Sequence, residues 1–281
     1  MMISGRTRVF MVLGDPVAQV QAPAIFNRVF RRFDVDAVLV PAQVRAERLS
    51  AFAHEVLAAG NIDGLWLTIP HKTTLVPELA RMDHCARVAQ SVNAVRRQPD
   101  GELEGALFDG LGLVGALQHF GIDARGQRVL LLGAGGAGAA IAAALLDHGV
   151  AHLALHDLGT RAVELAGRLA DGNEGRVSVQ GADPAGFDLV IHATPLGLRA
   201  DDPLPIDVSR LDAHAKVVDI LMKPEPTPLL KACAARGIEA FPGFEMLVQQ
   251  VPHYLAFFGM DQIAEVLRAD LSDVRLGLQS L

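Results

Sequence analysis

The sequence predicts an α/β protein of two domains: a Rossmann-type nucleotide domain and an α/β substrate domain with a mostly parallel sheet. Three observations predict it. The chain is 281 residues long, more than one small core usually accommodates. Short apolar runs, turn residues and helical patterns alternate along it, the signature of βα units around a parallel sheet. One such run, Arg128-Val-Leu-Leu-Leu132, leads directly into Gly133-Ala-Gly135-Gly136-Ala137-Gly138 and an alanine-rich helix, the context that gives a GxGxxG its meaning.

Taken in order, residues 8–13 read as a first strand and 24–33 as a helix following Pro23. Residues 37–40 read as strand, 46–59 as helix and 64–69 as strand. Pro70 suits the first position of a helix, which the pattern carries through Lys72 to about Arg81. Residues 93–98 and 102–107 flank Pro99-Asp100-Gly101, a hairpin signal. A helix follows Asp109 and runs to His119, closed by Gly121. The second series has strands at 128–132, 152–156, 176–180, 188–192 and 217–221 with helices between, and the stretch from Gly243 onward has helical periodicity. Residues 1–109, completed by 242–281, therefore form the expected substrate-binding α/β domain, and residues 110–241 the nucleotide domain.

Bulk properties exclude several functions. A formal charge of −7 argues against a nucleic-acid surface, which needs a basic stripe. Cys85 and Cys233 make neither a disulfide framework nor a CxxC metal site, and a reducing, cytoplasmic setting is the simpler expectation. The opening apolar stretch is broken by Gly14-Asp15-Pro16, and the longest apolar run, residues 139–146, is too short for a bilayer. The histidines form no HxxH or HxxxH cluster with an acid, so no metal is expected. Neither nucleic acid nor membrane is an expected partner, and the chain is expected to be a monomer or homodimer.

In the glycine loop, Gly133 permits the tight turn, Gly135 lets backbone approach a pyrophosphate and Gly138 allows close helix–strand packing, while the helix N-terminus offers N–H groups to phosphate. Gly136 and Ala137 lie in that same first turn. Asp157 ends the next strand, about 20 residues on, where a carboxylate accepts both ribose hydroxyls and repels a 2′-phosphate. No arginine stands in the clamp position for such a phosphate, although Arg161, four residues along, has the length to reach back. NAD is the expected cofactor.

The ordered set of motifs resembles the shikimate/quinate dehydrogenase family over nearly the whole chain. It comprises Gly14-Asp-Pro-Val-Ala18 with Pro23, Thr68-Ile-Pro-His-Lys72, Val92-Asn93, Asp109-Gly110-Leu-Gly112, the glycine loop, Ala193-Thr-Pro-Leu-Gly197, Asp219 with Pro224 and Thr227-Pro-Leu-Leu230, and Gly243-Phe-Glu-Met-Leu-Val-Gln-Gln250. The resemblance implies an NAD-linked oxidation of a CH–OH group on a small polyhydroxylated, possibly cyclic molecule, as in aromatic amino acid biosynthesis. It implies a catalytic Lys72–Asp109 pair and substrate contacts from Thr68, Asn93 and Gln250. It extends the cofactor set to Thr194, Pro195, Leu196, Ile220 and Gly243. Lys72 also has a reading of its own: a cation in the first turn of a helix opposes the macrodipole, which lowers an ammonium's pKa and suits proton transfer. Asp109 reads equally as an N-cap, Thr68 as a strand residue, Asn93 as a turn residue and Gln250 as a polar helix face.

The match breaks in one region. Where the family has Ser-x-Ser, this chain has Val20-Gln21-Ala22, leaving Gln19 and Gln21 as substitute donors. The family's Asn before the Thr is Trp66, whose alternative reading is core packing. The Tyr after the later Asp is Met222, and of Asn-Thr-Asp only Asp109 remains. Positions implied to hold hydroxyls persist, and those implied to hold a carboxylate have become apolar or bulky. Shikimate and quinate are therefore expected to be poor substrates, and a non-catalytic NAD- or metabolite-sensing module stays open as a rival.

Overall fold

The structure, a computed structural model, describes residues 3–18, 20–199, 201–223 and 225–279. Gln19 and Pro224 lie outside the described residues. The chain divides into two units, Met1–Phe108 with Gln250–Leu281 and Asp109–Gln249.

The first unit holds β1 (Arg8–Gly14), α1 (Ala22–Arg32), β2 (Ala37–Gln43), α2 (Leu49–Leu57), β3 (Ile62–Leu67), β4 (Arg81–Met82), α3 (His84–Ala89), β5 (Ala94–Arg97) and β6 (Leu103–Ala106). Its sheet has the order β2-β1-β3-β5-β6-β4. β1 runs parallel to β2 and β3, whereas β5 is antiparallel to β3 and β6. The C-terminal ends of β1, β3 and β6 and the N-terminal end of β5 therefore share one edge. α1 buries Ile25, Phe26, Val29 and Phe30 on one face, and its last turn carries Arg31 and Arg32, the sign that suits a helix C-terminus. Its Asn27 accepts from the Leu39 N–H at 2.8 Å and donates to the Leu39 carbonyl at 2.9 Å, which satisfies backbone groups of the edge strand β2.

Two expectations are corrected here. The helix expected over residues 70–81 does not form; two 3₁₀ turns, His71–Thr73 and Val76–Glu78, stand in its place. Pro77 lacks the N–H a continuing helix needs, and Thr73 and Thr74 lose χ1 freedom in one. The macrodipole reading of Lys72 falls with that helix. Trp66, expected near substrate, is 2% exposed in an aromatic cluster. Its ring stacks on Phe258 at 4.3 Å and Tyr254 at 5.3 Å, with Phe10 and Phe26 edge-on at 5.2 Å. A Cβ on Gly64 would stand 2.0 Å from the Phe258 ring, so only glycine lets that ring lie against the sheet.

The second unit holds α4 (Asp109–His119), β7 (Arg128–Leu132), α5 (Gly136–His148), β8 (His152–His156), α6 (Arg161–Leu169), β9 (Val177–Val179), β10 (Leu189–His192), β11 (Lys216–Asp219), α7 (Pro228–Ala235) and β12 (Ala240–Pro242). Its sheet is parallel throughout, in the order β12-β11-β10-β7-β8-β9. The order reverses between β7 and β10, the kind of switch point outside which doubly wound sheets bind ligands. Val129–Leu132 are all buried, as befits strands covered on both faces. α5 buries every residue from Gly138 to Leu146, and α4 lies so close that a Cβ on Gly110 would be 2.2 Å from the Ala140 carbonyl oxygen.

α8 (Phe244–Phe257) opens in this unit and is followed, in the first unit, by α9 (Asp261–Ala269) and α10 (Ser272–Gln279). The sequence places residues 242–281 whole in the first domain, whereas the division falls inside α8: Gln249 lies against Gly115 of α4. No described helix is long and apolar enough to cross a membrane.

On α8, the His253 ring lies over Phe108, centroids 6.0 Å apart. Burial, aided by the charge of Arg268, pushes its pKa down to about 4 from 6.5. The unfolded chain therefore binds a proton between those values that the folded chain does not, so stability falls as pH drops from about 6.5 towards 4. In urea unfolding, wild type should lose about 1–2 kcal/mol more than His253→Gln between pH 7 and pH 5; equal losses would mean that the ring is solvated.

Candidate active site

In the second unit, the turn after β7 is shaped by close backbone approach. Gly133 has φ +105°, and a Cβ there would be 2.5 Å from the Ala193 carbonyl oxygen; one on Gly138 would be 1.9 Å from the Gly133 oxygen. Gly135 is different: its φ is −74°, and a Cβ would meet nothing within 4 Å. It is the N-cap of α5 and makes no side-chain cap bond. The first N–H groups of a helix have no partner within it, so this open space fits a pyrophosphate.

Asp157, directly after β8, accepts from the Ala134 N–H and the Leu158 N–H, each at 2.6 Å. Arg161 does reach back: its Nε lies 3.8 Å from Asp157 Oδ1. After β10, Thr194 Oγ1 accepts the Leu196 N–H at 3.2 Å and pairs with His192 Nε2 at 2.5 Å. After β11, the Ile220 N–H bonds the His192 carbonyl at 3.0 Å, and Gly243, after β12, lies on Ile220 so tightly that a Cβ would come within 2.4 Å of its Cα. All the cofactor residues expected from the sequence thus stand at the C-terminal edge of one sheet. Met222 sits in the loop after β11, 48% exposed.

The sequence reading missed two residues of this edge. Lys223 donates to the carbonyls of Gly197 at 2.9 Å and Leu198 at 3.1 Å, tying the loops after β10 and β11. His192 is fully buried beside Asp219; a polar residue closing the apolar run Leu189-Val-Ile-His192 was the available signal.

In the first unit, Thr68 follows β3, and Lys72 follows in the first 3₁₀ turn, half-buried. The Lys72 carbonyl accepts the Val92 N–H at 2.7 Å, which pins that turn beside Asn93. Asn93 is 1% exposed; its Oδ1 accepts from the Phe108 N–H at 3.2 Å, and its Nδ2 donates to Gln250 Oε1 at 3.4 Å. Thr68, Lys72, Asn93 and Gln250 are therefore gathered at the sheet edge where β1, β3 and β6 end. Val20 and Ala22 are half-buried, and Gln21, the exposed N-cap of α1, makes no side-chain cap bond. Asp109 is 5% exposed and opens α4 in the second unit. Among the described residues no group of three or more His, Cys, Asp and Glu is placed to hold a metal.

Residues 12–95 match the shikimate dehydrogenase substrate binding domain. The shikimate dehydrogenase (NADP(+)) of Rubrobacter xylanophilus is 36% identical over 278 residues, 96% of this chain and 97% of the relative. The chain belongs to the shikimate dehydrogenase family. It is accordingly an oxidoreductase of the CH–OH dehydrogenase type that uses a nicotinamide dinucleotide. Among solved structures, the shikimate 5-dehydrogenase of Thermus thermophilus, in complex with NADP(H) and shikimate, is 26% identical with a TM-score of 0.80, covering 92% of this chain and 99% of that one. The ligand-free 5-ketofructose reductase of Gluconobacter sp. strain CHM43 is also 26% identical, with a TM-score of 0.81, covering 94% of this chain and 100% of that one.

The glycine geometry separates folding from binding. Gly135→Ala should leave the melting temperature unchanged, because its Cβ enters open space, yet weaken dinucleotide binding by about tenfold or more as the phosphates lose backbone approach. Thermal melts and calorimetric titration check this; undiminished affinity would place the phosphates elsewhere.

Proposed function

We propose that the protein is an NAD-linked dehydrogenase that interconverts CH–OH and C=O on a small polyhydroxylated substrate, with shikimate and quinate themselves poor substrates. The observation that carries the reading is the uneven loss of polar groups in the first unit. Thr68, Lys72, Asn93 and Gln250 remain, with Asn93 and Gln250 buried and bonded to one another, while Val20 and Ala22 occupy the positions of the family's two serines. A buried carboxylate without donors is costly, whereas an uncharged polyol makes no such demand. The 5-ketofructose reductase, named for an uncharged polyhydroxylated ketone, supports a substrate of this class on the same fold.

The bound nicotinamide supplies the hydride chemistry. Lys72 takes the proton from the reacting hydroxyl during oxidation and returns it during reduction. The family resemblance assigns Asp109 the role of accepting a hydrogen bond from a substrate hydroxyl. Asn93, held at both ends of its carboxamide, presents a fixed surface to the substrate rather than a mobile one. Loss of Lys72 in Lys72→Ala should lower kcat by about 10²–10⁴ and leave dinucleotide affinity nearly intact; near-normal kcat on a confirmed substrate would remove Lys72 from the acid/base role.

For the cofactor, Asp157 favours the free ribose hydroxyls of NAD over a 2′-phosphate. The relatives are NADP enzymes by name, and Arg161 stands 3.8 Å from Asp157, so the two side chains set the choice between them. NAD should bind more tightly than NADP, and Asp157→Asn should narrow the gap; equal or tighter NADP binding by wild type would reverse the assignment and make Arg161 the clamp.

For the substrate, restoring both hydroxyls with Val20→Ser and Ala22→Ser should raise kcat/KM for shikimate by an order of magnitude or more. NAD(P) reduction across a panel of polyols, shikimate and quinate gives the comparison. A micromolar KM for shikimate in the wild type would show that other donors already hold its carboxylate.

A further inference from the structure

His192 and Asp219 end β10 and β11, face each other in register and are 0% exposed. Asp219 Oδ2 accepts the Thr227 hydroxyl at 2.6 Å; Oδ1 accepts the Leu221 N–H at 3.1 Å and lies 3.0 Å from His192 Nδ1. A carboxylate only accepts, so Nδ1 of His192 carries a proton. In the neutral ring the lone pair is then on Nε2, 2.5 Å from Thr194 Oγ1. The Thr194 hydroxyl donates to that lone pair, and its oxygen accepts the Leu196 N–H at 3.2 Å. The Thr227 and Thr194 hydroxyls, His192 Nδ1 and the Leu196 N–H each meet an acceptor.

We propose that His192 is the positioning residue of the cofactor loop. It never touches a ligand itself. It fixes the rotamer of Thr194, Thr194 closes the turn over residues 194–196, and that turn sets the path of the segment whose Ala193 carbonyl lies against Gly133. The same imidazole is anchored through Asp219 to Thr227, the N-cap of α7, so the loop is held from the far side of the sheet edge. An apolar residue at 192 would leave Asp219 Oδ1 with the Leu221 N–H alone and take from the half-buried Thr194 hydroxyl the acceptor of its proton. The inference rests on the reading that residues 194–196 border the dinucleotide.

The test uses the full chain and titrates NAD and NADP into wild type, Thr194→Val, His192→Asn, the double variant and Thr194→Ser. Thr194→Val keeps the shape of the side chain and removes its hydroxyl. Each of the first two substitutions should raise the dinucleotide Kd about tenfold, with the loss falling on KM for the dinucleotide more than on kcat. The double variant should be no worse than the worse single one, because both break the same chain of bonds. Thr194→Ser should recover most of what Thr194→Val loses. Long-range ¹H–¹⁵N spectra should show His192 protonated at Nδ1 and accepting at Nε2, with the Nε2 resonance moving in Thr194→Val. If His192→Asn fails to fold, the Thr194 pair and the spectra carry the test alone. Unaltered affinity in Thr194→Val, additive losses in the double variant, or a proton on Nε2 would overturn the inference. Failure of wild type to bind either dinucleotide would instead overturn the cofactor reading, and this inference with it.

Discussion

The nucleotide unit depends on a contact between bare backbones. The turns leaving β7 and β10 nest because Gly133 has no Cβ to strike the Ala193 carbonyl, and α5 starts where it does because Gly138 has none to strike the Gly133 carbonyl. The same solution recurs at Gly243 and Ile220. Each close approach leaves peptide groups in place of a side chain at that point of the C-terminal edge of the sheet. That is the surface a pyrophosphate needs, since its oxygens are met by N–H groups and a helix terminus rather than by side chains that must be ordered first.

The first unit meets a similar convergence with a carboxamide. Asn93 forms bonds through both its main chain and its side chain: its N–H to Ala106, its carbonyl to the Leu67 N–H and the Tyr254 hydroxyl, and its Oδ1 to the Phe108 N–H. A group this buried has to be satisfied, and satisfying it draws the ends of β3 and β6 and the later turns of α8 together at one residue. Beneath that edge, Trp66 fills the space between β1, α1 and α8 with stacked rings. Trp66 thus serves core packing, worth roughly 1–3 kcal/mol for a buried ring.

Charge is handled with the same economy at both acids of the nucleotide edge. Asp157 is held by two backbone N–H groups and neighboured by Arg161, and Asp219 is enclosed by donors on three sides. Neither acid is left to water alone. The difference between them is access: Asp157 is partly buried, while Asp219 is sealed from solvent.

Much of this was readable in the residues. β7 and β8 have the bounds their apolar runs announce, because a strand covered on both faces must be apolar without interruption. The glycine loop, Asp157 and the α/β class follow from spacing alone, since the geometry of one tight turn and one helix start is local. β4, α3 and β12 are two to six residues long, too short to show a period. Residues 70–81 obeyed the local rule for a helix start and were overruled by Pro77 and by the pairing of residues 81–82 with β6. Trp66 and His192 were settled only in three dimensions. Alternation tells which face of a strand a residue occupies, but whether that face meets Phe258 or the Asp219 carboxylate depends on which distant segment covers it, and that is decided when the sheets assemble.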